Sequence, residues 1–224
     1  MRVLVFGAHP DDETIGMGGT IYKHTQGGDG VWVVIMTHGD AGSMEVSSEE
    51  LIELRKKETV AACKVLGVAN VKFLGFKDEF LFLNEDTLTK VGKIIRSYKP
   101  HRVYAHHGDV SLSEDNLDHI NTFRIVSRTV FALKWPFLPQ MGKEAWEVKE
   151  FYAYEVLSPI QEPNAFVDIT DVMKVKLEAM AKYESQMKWG LWDKAVKSLN
   201  NFRAKINRRG EYAEAFKVIK TTIF

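Results

Sequence analysis

A lone cysteine, Cys63, stands in 224 residues, so the chain cannot close a disulfide on itself. It falls among Ala61, Ala62 and Val65 in a helical pattern, where a thiol serves as a small apolar side chain rather than a nucleophile. A reducing, intracellular home fits that usage. Long apolar runs are also missing. Residues 1–6 meet a charged cluster after a few positions, too soon for the apolar part of a secretion signal. Nothing approaches the roughly 18 apolar residues of a membrane span. The expectation is a cytoplasmic protein with no transmembrane segment. Charge of one sign is not in excess: 30 Lys and Arg balance 30 Asp and Glu, which argues against a broad positive field for binding nucleic acid. No repeat, low-complexity tract or linker interrupts the chain, and 1–224 reads as one domain.

What is present is a globular mixture, 45% hydrophobic and 27% charged. Strands are expected at 2–7, 31–36, 71–74 and 102–105, and helices at 14–25, 47–66, 87–98 and 119–133. Ser48 is the expected cap of the second helix and Gly67 its stop. Continuous apolar strands alternating with helices predict a Rossmann-like, doubly wound α/β fold with a mostly parallel sheet covered on both faces. The last third departs from this and reads as a C-terminal α/β extension. It has strands at 148–156 and 166–168, a long helix at 168–188, and a tail from 191 that is helical and then irregular.

Ligands of open parallel sheets bind beyond the carboxyl ends of the strands. The first strand runs straight into His9-Pro10-Asp11-Asp12-Glu13. Three adjacent acids beside a histidine are costly unless a cation or hydrogen bonds satisfy them. A helix N-terminus favours one acid there but leaves the adjacent aspartates unexplained. The fourth strand ends in His106, His107 and Asp109, followed by Asp115, Asn116, Asp118 and His119. His9, Asp12 and His119 would give zinc two nitrogens and one oxygen with a position left for water, the pattern of a catalytic site. A nucleotide-binding reading is disfavoured, because the first strand lacks Gly-x-Gly-x-x-Gly and its carboxylates would repel a pyrophosphate.

The run from Ala8 to Glu13, with Gly16 and Gly18-Gly19-Thr20 behind it, resembles the opening signature of the PIG-L/LmbE-like zinc deacetylases. The likeness continues through Arg55 and Glu58, Leu66-Gly67-Val68, Leu74 to Asp78, Asp118-His119, Tyr183 to Gln186 and Tyr212 to Phe216. It implies zinc held by His9, Asp12 and His119, Asp11 as general base, and Arg55 and Asp78 on the sugar. The implied activity is removal of an N-acetyl group from a small amino-sugar derivative by a homo-oligomer, a trimer or hexamer. Glu13 would orient a ligand or cap the helix. The alternatives are a zinc amidase acting on another amide, such as a thiol conjugate, and a member that binds metal without turnover.

Two departures bear on catalysis. Where many members of that family carry a histidine three residues before the last metal histidine, this chain has Asn116, which donates a hydrogen bond but shuttles no proton. No histidine follows His119, so Tyr183 or Tyr212 would have to replace a late oxyanion donor, although each also fits a packing role. His24 and His101 read as surface residues, whereas His38, His106 and His107 sit where they can face the pocket. Trp189 and Trp192 flank Gly190 and suit either a groove or a subunit contact.

Overall fold

A computed structural model describes residues 1–108, 116–156 and 158–221. Asp109 and Asp115 from the fourth-strand cluster, together with the last three residues of the tail, lie outside the described residues. In chain order the elements are β1 (Arg2–Gly7), α1 (Asp12–Gln26), β2 (Gly30–Thr37), α2 (Ser48–Val65), β3 (Asn70–Phe76), α3 (Glu85–Tyr98), β4 (Arg102–His106), α4 (Leu117–Ala132) and β5 (Glu150–Tyr154). They continue with β6 (Ala165–Asp168), α5 (Met173–Met180), α6 (Glu184–Met187), α7 (Trp192–Asn207) and β7 (Ala213–Lys220).

The seven strands form one sheet in the order β3-β2-β1-β4-β5-β7-β6. The first five are parallel, and β7 runs antiparallel to both β5 and β6. Strand alternation explains why β1 and β2 are apolar throughout. Val3, Val5, Val33 and Ile35 pack with Ile15, Met17 and Ile21 of α1. Leu4, Phe6, Val34 and Met36 pack on the other face with Ile95 of α3 and Ile125, Val126 and Val130 of α4. Both faces are buried, as a doubly wound sheet requires. The chain leaves β1 toward one face and β4 toward the other, so a crevice opens between their ends at the switch in strand order.

The cap of α2 is Ser47, not Ser48. Ser47 Oγ accepts from Glu50 N, and the Glu50 carboxylate accepts from Ser47 N. Only Ser47 has a Glu three residues on, and that spacing is what a capping box needs. Helix α1 is kinked at Met17, with φ −146°. Beyond the kink, Glu214 of β7 accepts from Gly19 N at 2.9 Å and Thr20 N at 2.7 Å, satisfying amides that the broken helix leaves over. Gly16 sits at the close crossing of α1 and β5: a Cβ there would lie 2.5 Å from the Tyr154 ring.

The C-terminal third corrects the sequence reading twice. The long helix expected over 168–188 is two short ones, α5 and α6, because Asp168 is still paired with Ala213 in the sheet and the chain turns at Tyr183, whose ring is fully buried. The tail expected to be irregular contains β7, which joins β5 to β6. Its buried acid is matched by a partner distant in sequence: Lys176 Nζ donates to Glu214 Oε1 at 2.7 Å with both side chains fully buried. Neither His24 nor His101 is an ordinary surface residue. His24 bridges Asp29 and Tyr104, and His101 Nδ1 accepts from Arg2 N. Among the described residues, no helix is long and apolar enough to cross a membrane.

Candidate active site

The crevice at the β1 and β4 ends holds an open cavity of about 290 Å³. The turn after β1 supplies its floor. Asp11 adopts φ 122°, a strained conformation for a residue with a Cβ, and lets α1 begin at once with Asp12 and Glu13 in its first turn. Asp12 Oδ2 accepts from His9 N at 2.6 Å, which folds the carboxylate back beside the His9 ring.

His9 Nδ1 lies 3.2 Å from His119 Nε2 and 3.4 Å from Asp12 Oδ2, and His119 Nε2 lies 3.4 Å from Asp12 Oδ1. Two ring nitrogens and a carboxylate thus converge, and His9, Asp12 and His119 form a group able to hold a metal ion. The other ring nitrogen of His9 faces Asp78 Oδ1 at 3.0 Å and Asp118 Oδ2 at 3.6 Å. Burial by itself would lower the His9 pKa, but Asp118, Asp12 and Asp78 outweigh it and raise that pKa well above the usual value. Burial would raise Asp12, yet His119 and His106 hold it well below the carboxylate range. His106, behind the pair at 3.0 Å from Asp12 Oδ2, is pushed down to about 4, chiefly by burial. The surroundings favour positive charge at the point where the two histidines and Asp12 meet, which fits a cation.

Asp11 stands beside this group. Burial, reinforced by Asp12 and Glu13 and opposed by Arg55 and His9, raises its pKa to about 7. Arg55 Nη2 donates to Asp11 Oδ2 at 3.2 Å and to Pro10 O at 2.5 Å, and Nη1 donates to Gly39 O at 2.9 Å. Arg55 therefore lines the pocket as expected, but its guanidinium is engaged with the chain. Asp78 lines it too and is tied to His9 and to Ala41 N. Asn116 caps α4, its Oδ1 accepting from Asp118 N at 2.9 Å and His119 N at 3.3 Å. The sequence reading placed all seven site residues in one pocket, and they do line it together.

Several neighbours play parts the sequence did not show. Glu13 accepts from Tyr183 Oη and Thr14 Oγ1, both at 2.6 Å, so Tyr183 is buried behind α1 and is not aimed at the cavity. Tyr212 packs by α7, away from the cavity. Glu58 accepts from Ser185 N and Oγ and pins α6 to α2. His107 bonds Ser158 O. The carboxylate of Asp118, sequence neighbour of His119, accepts from Glu79 N and Leu81 N and so fastens the loop after β3 to α4. Gln186 and Trp192 reach the cavity from the C-terminal third. The likeness running to Gln186 and the tryptophans flanking Gly190 were the visible signals for that wall.

Comparison with known proteins agrees with this fold. The family model described as PIG-L, GlcNAc-PI de-N-acetylase, matches residues 4–130. Diacetylchitobiose deacetylase of Thermococcus kodakarensis is 27% identical over 97% of this chain and 83% of that protein. The solved structure of N,N'-diacetylchitobiose deacetylase from Pyrococcus horikoshii, complexed with its inhibitor MPG, superposes with a TM-score of 0.89 at 29% identity, covering 97% of this chain and 83% of the other. A different chemistry also occurs among the relatives: 4-oxalmesaconate hydratase of Pseudomonas putida is 28% identical over 79% of this chain and 70% of that protein. The matched segment runs from within β1 through most of α4, and holds every residue of the His and Asp cluster; the chain belongs to the PIG-L family.

Proposed function

We propose that the protein is a zinc-dependent hydrolase that removes the N-acetyl group from an amino-sugar derivative, and that its 224 residues act as one catalytic unit. The observation that carries this reading is the convergence of His9 Nδ1, His119 Nε2 and the Asp12 carboxylate in an open pocket with Asp11 beside them. Two imidazoles and a carboxylate suit zinc with one position open. Zinc held there supplies the Lewis acidity that polarises the acyl carbonyl and brings water within reach of a base near neutral pH.

The remaining work falls to the chain. Asp11 takes a proton from the attacking water as its oxygen bonds to the amide carbon, and returns it to the nitrogen as the C–N bond breaks, giving acetate and a free amine. Arg55 holds Asp11 in place and supports its ionised form. Asp78 accepts from His9 Nε2, which leaves the Nδ1 lone pair facing His119 and Asp12. Asn116 orients the turn that carries His119.

The test is acetate release from a panel of N-acetyl sugars by the zinc-loaded protein. Release, together with loss of zinc in His119→Ala, supports the reading. Tight zinc binding with no acetate from any member overturns it in favour of a binding role or an amidase for another amide. The hydratase relative supplies a second reading, in which water adds to a double bond of an unsaturated acid. That reaction releases no acetate, so the same assay separates the two. The family resemblance also supports assembly of the chain into a homo-oligomer. Exposed Phe131 and Trp135, which line one groove with Leu83, are surface that assembly would cover, and light scattering gives the mass.

A further inference from the structure

Arg55 and Glu58 lie one turn apart on α2 and are both buried, but they bond different parts of the chain. Arg55 turns to Asp11, whereas Glu58 has no part in the chemistry proposed above. Its carboxylate takes both donors of one residue: Oε1 accepts from Ser185 N at 2.7 Å and Oε2 from Ser185 Oγ at 2.6 Å. A serine hydroxyl has a single hydrogen, and an ionised carboxylate can only accept. The hydrogen of Ser185 therefore points at Glu58, and Oγ offers only lone pairs to its other neighbour, the Gln186 side chain. The Gln186 group 3.2 Å from Oγ must then be the NH2, which fixes an amide whose two ends are otherwise interchangeable. The amide oxygen is left on the side of the cavity that Gln186 and Gly42 both line. A Cβ added to Gly42 would lie 3.5 Å from that oxygen, and no donor among the described residues reaches it.

We propose that Glu58 is a positioning residue for substrate binding: through Ser185 it holds the Gln186 amide with its oxygen toward the cavity, as the acceptor for a hydroxyl of the bound amino sugar. This rests on the deacetylase reading above and deepens it. A sugar hydroxyl that leaves water needs a partner for its hydrogen, and the Gln186 oxygen needs a donor once a ligand covers it, so each satisfies the other. The relay also predicts its own reversal. Glu58→Gln keeps the shape but brings an NH2. With that NH2 on Ser185 Oγ, the serine hydrogen is released toward Gln186, whose amide turns over and presents its NH2 to the cavity instead.

Kinetics of the zinc-loaded full chain on N,N'-diacetylchitobiose test this. Gln186→Leu and Glu58→Gln should each raise KM by about 10-fold while kcat changes by less than about threefold. The double variant should be no worse than Gln186→Leu alone, because Glu58 acts through the amide. A merely structural Glu58 would add its own loss to that of Gln186→Leu, or lower kcat and zinc content, and either result overturns the proposal. Orientation is read without turnover. The side-chain amide hydrogens of Gln186, assigned by NMR from their loss in Gln186→Leu, should exchange with water faster in Glu58→Gln than in the parent, and equal rates overturn the relay. Where Glu58→Gln fails to fold, Ser185→Ala, which keeps the backbone bond to Glu58, carries the same expectations. Calorimetric binding of the same sugar to zinc-loaded Asp11→Asn separates this from the deacetylase reading. If no acetate is released but the sugar binds, and adding Gln186→Leu weakens binding about 10-fold, the positioning stands and the deacetylase reading falls. Acetate release with KM unchanged in Gln186→Leu and Glu58→Gln overturns the positioning alone. A sugar that neither reacts nor binds overturns both.

Discussion

The Nε2 atom of His9 lies 3.0 Å from Asp78 Oδ1, while Nδ1 on the other side of the ring lies 3.2 Å from His119 Nε2. Asp78 follows β3 and His9 follows β1, so the pairing exists only because β2 sits between them in the sheet and brings both strand ends to one edge. The acid expected on the sugar lines the cavity and is also placed to set which His9 nitrogen faces His119 and Asp12. Asp78→Ala should weaken metal affinity by about 10- to 100-fold, measured against a competing chelator. A rise in KM with metal affinity unchanged would return Asp78 to the substrate.

On the proposed mechanism Asp11 sets the pH dependence. Its pKa is raised to about 7, mainly by burial, so the folded protein favours the protonated carboxyl, whereas a base must be ionised. Activity is therefore expected to climb with pH along an acid limb at or below about 7, since a bound cation pulls the carboxyl down. The stability sign is the reverse. Between the ordinary aspartate value and 7 the folded state holds more proton than the unfolded one, so Asp11 contributes less stability as pH rises through that window. Asp11→Asn should keep its metal, lose turnover by at least about 10²-fold, and make the metal-free protein less sensitive to rising pH. A variant that loses metal and activity together would show that Asp11 is a ligand.

Asn116 caps α4 through Oδ1, the same helix turn that presents His119. Asn116→Asp retains an acceptor and should preserve folding. Asn116→Ala removes it and should cost about 1 kcal/mol in denaturant titration. If Asn116→Ala folds normally and binds zinc but loses about 10²-fold in turnover, the amide is stabilising the reacting oxygen rather than the helix.

The buried Lys176–Glu214 pair joins α5 to β7 and, through Gly19 N and Thr20 N, to the kinked helix behind the site. Removing one partner strands the other charge in the core. Lys176→Met should destabilise by about 3–5 kcal/mol, read from thermal or denaturant unfolding. A change within about 0.5 kcal/mol would mean that the pair is dispensable.

Local pattern alone determined a good deal. The apolar runs of β1 to β4 and the helices between them require a parallel sheet with two covered faces, and adjacent acids after β1 mark its edge as the place for a cation. These are properties of neighbouring residues, and β-strand alternation and helix dipoles act over such distances. Only the tertiary structure decided how distant groups pair. It bonded the Arg55 Nη atoms to Asp11 and two carbonyls, turned Asp78 to His9, buried Tyr183 against Glu13, and set Gln186 and Trp192 on the cavity wall. It also made β7 a strand, because a buried glutamate is tolerable there only once Lys176 and the freed amides of α1 are beside it. A buried polar group takes its role from whichever partner the fold brings within about 3 Å, and sequence spacing does not carry that distance.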